Sequence, residues 1–140
     1  MSAPVVVAVL TALAAVVVVL THVRMSGEAA GRTAVPRGLV RVHTVAGGLA
    51  VVVWTVFLAA GDALGEGGST VVGIVALLLW WVTAIAGVLV LLRWLPARGR
   101  HAGAPVTDGW SEGPGLSLLG HVGMVAGVAV FTWSYLVGAV

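Results

Sequence analysis

The sequence predicts an all-α integral membrane bundle of four helices, and two observations carry that prediction. Of 140 residues, 60% are hydrophobic and only 9% are charged, whereas about a quarter of a soluble domain is charged. The charges are also segregated, leaving charge-free windows at Met1–Val23, Val42–Gly61, Gly67–Leu92 and Gly113–Val140. Each window supplies the roughly 20 apolar residues that a membrane-spanning helix needs. Lipid offers no partner to unpaired backbone groups, and a helix satisfies them within its own segment. The helices are therefore expected near 3–22, 39–60, 70–94 and 116–138, as a single transmembrane domain over 1–140.

The first window contains "VVVAVL" and "AAVVVVL", and such β-branched runs favour strands in water. Their length and lack of alternation favour a helix instead. A secretory signal is disfavoured, because the window has no positive n-region, its apolar stretch is long and no A-x-A pattern closes it. Between the second and third windows, "GDALGEGGS" reads as a tight turn rich in glycine. The other two connections, "RMSGEAAGRTAVPRG" and "LPARGRHAGAPVTDGWSEGPG", read as irregular surface segments, with Pro96 and Pro114 near helix boundaries. Trp94 and Trp110 suit the headgroup level, where an amphipathic ring is well placed. Trp80 and Trp81 fall inside the third helix and read as packing or lipid-facing residues.

Cysteine is absent, which excludes disulfides, thiolate metal sites, iron–sulfur clusters and c-type haem attachment. The sequence pI is about 10.5, but the net charge is only +2. All seven cationic residues are arginines, grouped as Arg24, Arg32, Arg37 and Arg41 in or beside one connection and Arg93, Arg98 and Arg100 at the start of another. That grouping reads as membrane topology, and no nucleic-acid partner is expected. The opposite side carries only Asp62 and Glu66. By the positive-inside rule, loops 1 and 3 are expected to be cytoplasmic and both termini outside, in a multi-pass protein of the cell inner (cytoplasmic) membrane.

Helices 2 and 4 then run in the same direction. His43, in "VRVHTVAGG", lies about one turn into helix 2, and His121, in "LGHVGMVAG", lies one to one and a half turns into helix 4. Two neutral imidazoles at matched depth on parallel helices can supply both axial bonds to one iron, with a porphyrin between the helices. The face His43, Gly47, Ala50 follows i, i+4, i+7 spacing and is expected to leave a groove beside the ring. Helix 4 offers Gly120, Gly123 and Gly127, offset from His121 because Val125 stands at i+4. Arg41 and Arg93 stand at the same membrane edge, placed either to pair with haem propionates or simply to snorkel. Within a turn of the interface, a histidine can also stay hydrated or hydrogen-bond a neighbouring helix. His22 and His101 fall on the same side, leaving open a zinc, copper or nickel site, although no carboxylate or thiolate stands close by in sequence. They, with Asp108 and Glu112, are also candidates for quinone protonation.

Gly123 to Gly127 is a G-x-x-x-G pattern, read as helix packing or dimerisation. "HTVAGGLAVVVWT" and "HVGMVAGVAVFTWS" share His, Ala-Gly and a valine-rich step to Trp54 and Trp133, which suggests two related hairpins.

On His43, His121 and the spacing of four spans, the chain resembles membrane b-type cytochromes built as four-helix bundles, including each half of haem A synthase. The resemblance implies a four-helix fold and one bis-histidine haem b. The acidic residue before the haem A synthase histidine has no counterpart in "LVRVH", so ligation carries over and that reaction does not. The expected role is electron transfer, as a cytochrome or a subunit of a respiratory oxidoreductase, with a quinone, redox partner subunits or a second copy as partners besides lipid. A non-catalytic membrane subunit and a small transporter are the alternatives. No Asp or Glu falls inside a span, which disfavours a carboxylate-coupled transporter.

Overall fold

Apolar length and arginine position together set the elements. In a computed structural model, four helices form: α1 Ala3–Ser26, α2 Arg37–Ala60, α3 Gly65–Arg100 and α4 Pro114–Leu136. The structure describes residues 2–26, 35–100 and 114–140, with side chains for 2–25, 35–93 and 115–140, and contains no strand among them. All four helices are long and apolar enough to cross a membrane. The valine runs of α1 are helical, as their length requires, and their outward residues Val9, Leu13 and Val16 are exposed, giving the helix an aliphatic outer surface.

The main departure from expectation is the length of α3, which begins five residues before 70 and ends six after 94. Its start moves because the turn needs only one left-handed residue. Gly61 keeps right-handed helical angles, Asp62–Leu64 form a 3-10 turn, and Gly65, at φ 68°, reverses the chain. Only glycine adopts that angle without steric cost. Gly67 and Gly68 then belong to the helix instead of the turn. At the other end the backbone stays helical through Pro96 to Arg100, losing the one hydrogen bond that a proline cannot donate. Pro114 opens α4, where its missing N–H leaves nothing unsatisfied that was not already unsatisfied.

Successive helices alternate in direction. α1 packs on α2 and α4, and α3 packs on the same two, with the α2–α3 contact the most extensive. α2 and α4 are therefore parallel and face each other across one diagonal of the bundle. The end holding Arg24, Arg37, Arg41 and Arg93 is the arginine end; Asp62 and Glu66 mark the acidic end.

The half nearer the acidic end is filled by aromatic rings. Trp54, Trp80 and Phe131 are fully buried. Ring centroids lie 5.2 Å apart for Trp54–Phe131, 5.5 Å for Trp80–Phe131 and 5.6 Å for Phe57–Tyr135, inside the range where aromatic pairs attract. Trp54 joins this core because its Nε1–H donates to Thr11 Oγ1 at 3.1 Å. Thr11 Oγ1 in turn donates to Val7 O at 2.8 Å, so α1 supplies the acceptor without opening its own backbone. Trp80 is core, while Trp81 is partly exposed and donates to Thr132 Oγ1 at 3.2 Å. Buried residues make up the smallest share of α1 and the largest share of α3.

A candidate histidine-pair site

His43 is the seventh residue of α2 and His121 the eighth of α4, so each lies roughly 9–11 Å from its helix start at a rise of ~1.5 Å per residue. Because the two helices are parallel, those depths match. Because they share a diagonal, both side chains turn into the bundle interior. His43 is 1% exposed and His121 7%. Their ring centroids are 6.0 Å apart, with planes inclined by 42°.

What lets two imidazoles meet there is a residue of α3. A Cβ placed on Gly87 would stand 2.7 Å from His121 Cδ2, 3.1 Å from His43 Nε2 and 3.2 Å from His43 Cδ2. Both rings therefore converge on the bare backbone of Gly87, His121 through Cδ2 and His43 through its Cδ2–Nε2 edge. Gly87 precedes Arg93 by six residues, roughly 9 Å along the helix, which sets it at the level of the histidines. Neither α2 nor α4 carries this signal. Depth counted from Arg93 places Gly87 at the level of the histidines, but does not place it on the face turned toward them.

The hydrogen bonding of the two rings differs. His121 Nδ1 lies 2.7 Å from Ser117 O. A carbonyl oxygen only accepts, so Nδ1 carries the proton and Nε2 keeps its lone pair. His121 Nε2 has no partner, and neither His43 Nδ1 nor His43 Nε2 has one. Leaving a buried polar atom unpaired costs about 1–3 kcal/mol. Three such atoms in one small volume form a site with donor capacity unspent. A metal-bound imidazole ordinarily anchors its second nitrogen on a carbonyl or carboxylate. His121 already has that anchor, although α4 was expected to carry the poorer groove.

The polar chain continues outward from His121. Arg24 Nη1, at the end of α1, donates to Ser117 Oγ at 2.8 Å. On the α2 side, His22 Nδ1 and Thr44 Oγ1 are 3.4 Å apart, next in sequence to His43. The last turn of α1 thus touches both histidine-bearing helices. Sequence reasoning read Arg24 only as a topology marker.

The other expected residues take these places. Arg41 and Arg93 are at the arginine end with exposed side chains. Gly47 is buried, but the space beside it is filled: a Cβ there would lie 2.7 and 2.9 Å from the methyl carbons of Val18 and 3.1 Å from Thr83 Cγ2. It lets α1 and α3 close around α2. A Cβ on Gly120 would lie 3.4 Å from a Val17 methyl, an ordinary contact, while one on Gly123 or Gly127 would meet nothing within 4 Å, so the G-x-x-x-G face is not used inside the bundle. His101, Asp108, Glu112 and Trp110 lie outside the described residues, as do the side chains of Trp94, Arg98 and Arg100.

With ring centroids 6.0 Å apart, the two imidazoles are near enough for both to hold one group. Among the described residues, no group of three or more His, Asp or Glu side chains could hold a metal ion. Two nitrogens alone leave a bare zinc or nickel ion short of its usual four or more ligands. They complete the coordination of an iron that arrives with four nitrogens of its own. The donor set thus fits haem better than a bare ion, with Gly87 as the flat wall on the α3 side. On the α1 side stand Val17 and Val18, on the helix least held by the rest. No protein-family model, curated protein or solved structure matches the chain.

Proposed function

We propose that this chain is a multi-pass protein of the cytoplasmic membrane and a b-type cytochrome for electron transfer. His43 and His121 are the residues that would hold one haem between α2 and α4, through ring nitrogens that have no other partner. The observation that carries the reading is the pair itself: two buried imidazoles from parallel helices, 6.0 Å apart, with three ring nitrogens unpaired. The arginines support the orientation, with both termini outside and the arginine end in the cytoplasm. Arg41 and Arg93, exposed at that end, are the cations placed to meet propionates at the membrane edge.

A single one-electron centre near one face of a roughly 30 Å hydrocarbon layer suits exchange between a bilayer quinone and a partner subunit. It does not suit relay across the whole membrane. When bound, a haem would supply one-electron redox chemistry; this chain's part would be to hold it through His43 and His121 near the arginine end. Lipid, a redox subunit and a second copy of the chain are the partners of this reading.

The optical spectrum of protein purified in mild detergent from haem-replete cells tests it. A Soret band is expected, lost in both His43→Ala and His121→Ala. Folded, colourless wild-type protein would sink the haem reading and leave a non-catalytic membrane subunit. Metal without a Soret band would point to a bare ion on the same two imidazoles.

A further inference from the structure

We propose that Arg24 is a positioning residue: acting through Ser117, the end of α1 fixes the plane of the His121 imidazole. The inference rests on the haem reading and adds to it a role for α1, which contributes no ligand.

Arg24 is half-buried in the last turn of α1, where a cation is favoured by the helix dipole. Its Nη1–H reaches the first turn of α4 and donates to Ser117 Oγ at 2.8 Å. That same turn is where a cation is disfavoured by the dipole of α4. The hydrogen bond therefore holds Arg24 against an electrostatic gradient and ties two helix ends together. Ser117 is also the residue whose carbonyl accepts His121 Nδ1–H at 2.7 Å. In a regular helix that carbonyl takes the backbone N–H of the residue four places on as well, which here is His121. Any rotation of the Ser117 peptide is thus passed directly to the ring. Val17 of α1 packs beside Gly120, the neighbour of His121, where a Cβ would lie at ordinary contact, 3.4 Å from a Val17 methyl. No other hydrogen bond described between α1 and α4 touches the site.

Two properties of the ligated protein read this out beyond folding. Ferric low-spin g values depend on the angle between the two imidazole planes, and the midpoint potential depends on how firmly Nδ1–H is anchored. Arg24→Gln removes the reach and the charge, whereas Ser117→Ala removes only the hydroxyl and keeps the carbonyl and the charge. Both variants are expected to retain the Soret band, to shift the g values in the same direction, and to be non-additive in the double variant, because they cut one link. Arg24→Lys, keeping the charge with a shorter reach, is expected to behave like Ser117→Ala. Unchanged g values in Ser117→Ala, or additive effects in the double variant, would overturn the link. A wild-type protein without a Soret band would instead overturn the haem reading, so the two failures are distinguishable.

Discussion

One methyl group at Gly87 is the most informative perturbation of this protein. In Gly87→Ala the new Cβ would lie 2.7 Å from His121 Cδ2 and 3.1 Å from His43 Nε2. Ordinary carbon contacts begin at about 3.5 Å, so the methyl overlaps the His121 ring by roughly 0.8 Å. Neither imidazole is a flexible tip, since each ring is buried against neighbouring helices. Overpacking of this kind costs about 1–3 kcal/mol. Replacing a mid-helix glycine by alanine returns about 0.5–1 kcal/mol, so the bundle as a whole loses little. The two imidazoles, however, carry the full displacement, and on the haem reading proposed above ~1–3 kcal/mol at the site corresponds to roughly 5- to 150-fold weaker haem binding. The assay is a haem titration of purified protein followed by Soret absorbance, with thermal unfolding in parallel. Gly48→Ala, whose Cβ meets nothing within 4 Å, is the control and should bind as wild type. Wild-type haem affinity and spectrum in Gly87→Ala would refute the convergence of the two rings on this residue.

Other perturbations separate the site from the scaffold. Thr11→Val should lower the unfolding midpoint in detergent, because it leaves the Trp54 N–H buried without an acceptor at a cost of about 1–3 kcal/mol; the Soret band should be unaffected. Gly47→Ala should reduce haem content less than Gly87→Ala does, since its Cβ meets the methyl ends of Val18 on the least buried helix; equal or larger loss, measured as haem-to-protein ratio, would contradict this. The chain has no cysteine, so single replacements report topology cleanly. In cells, Asp62→Cys should react with an impermeant maleimide from outside, and Arg37→Cys only after lysis.

The existence and number of helices were legible because charge is confined to the ends of the apolar windows, and Arg24, Arg41 and Arg93 each stand within a few residues of a window's boundary. The extra turns of α3 were not legible, because glycines in "GEGG" look like a turn unless one knows that Gly65 alone supplies the reversal. The histidine pair was legible from matched depth on two helices of the same direction. Gly87 was not, since it sits in the featureless run "AIAGVLV" on a helix with no ligand. Its role emerges only when α3 is known to lie between α2 and α4. Gly47 misled for the complementary reason: spacing on one helix says where a groove begins, and only Val18 and Thr83 say whether a neighbour fills it. Arg24 carried two meanings, topology and contact, and sequence position expresses only the first.

The two diagonal helices meet twice, once through the Trp54–Phe131 and Phe57–Tyr135 rings and once through the imidazoles. The first meeting acts as a fulcrum for the second. Phe131 and His121 are ten residues apart, a lever arm of roughly 15 Å. Tilting α4 by about 5° around the aromatic rings would carry His121 through roughly 1.3 Å at that arm length. The gap between the two imidazoles is therefore a gauge of helix tilt, and the aromatic core at the far end of the bundle is what calibrates it.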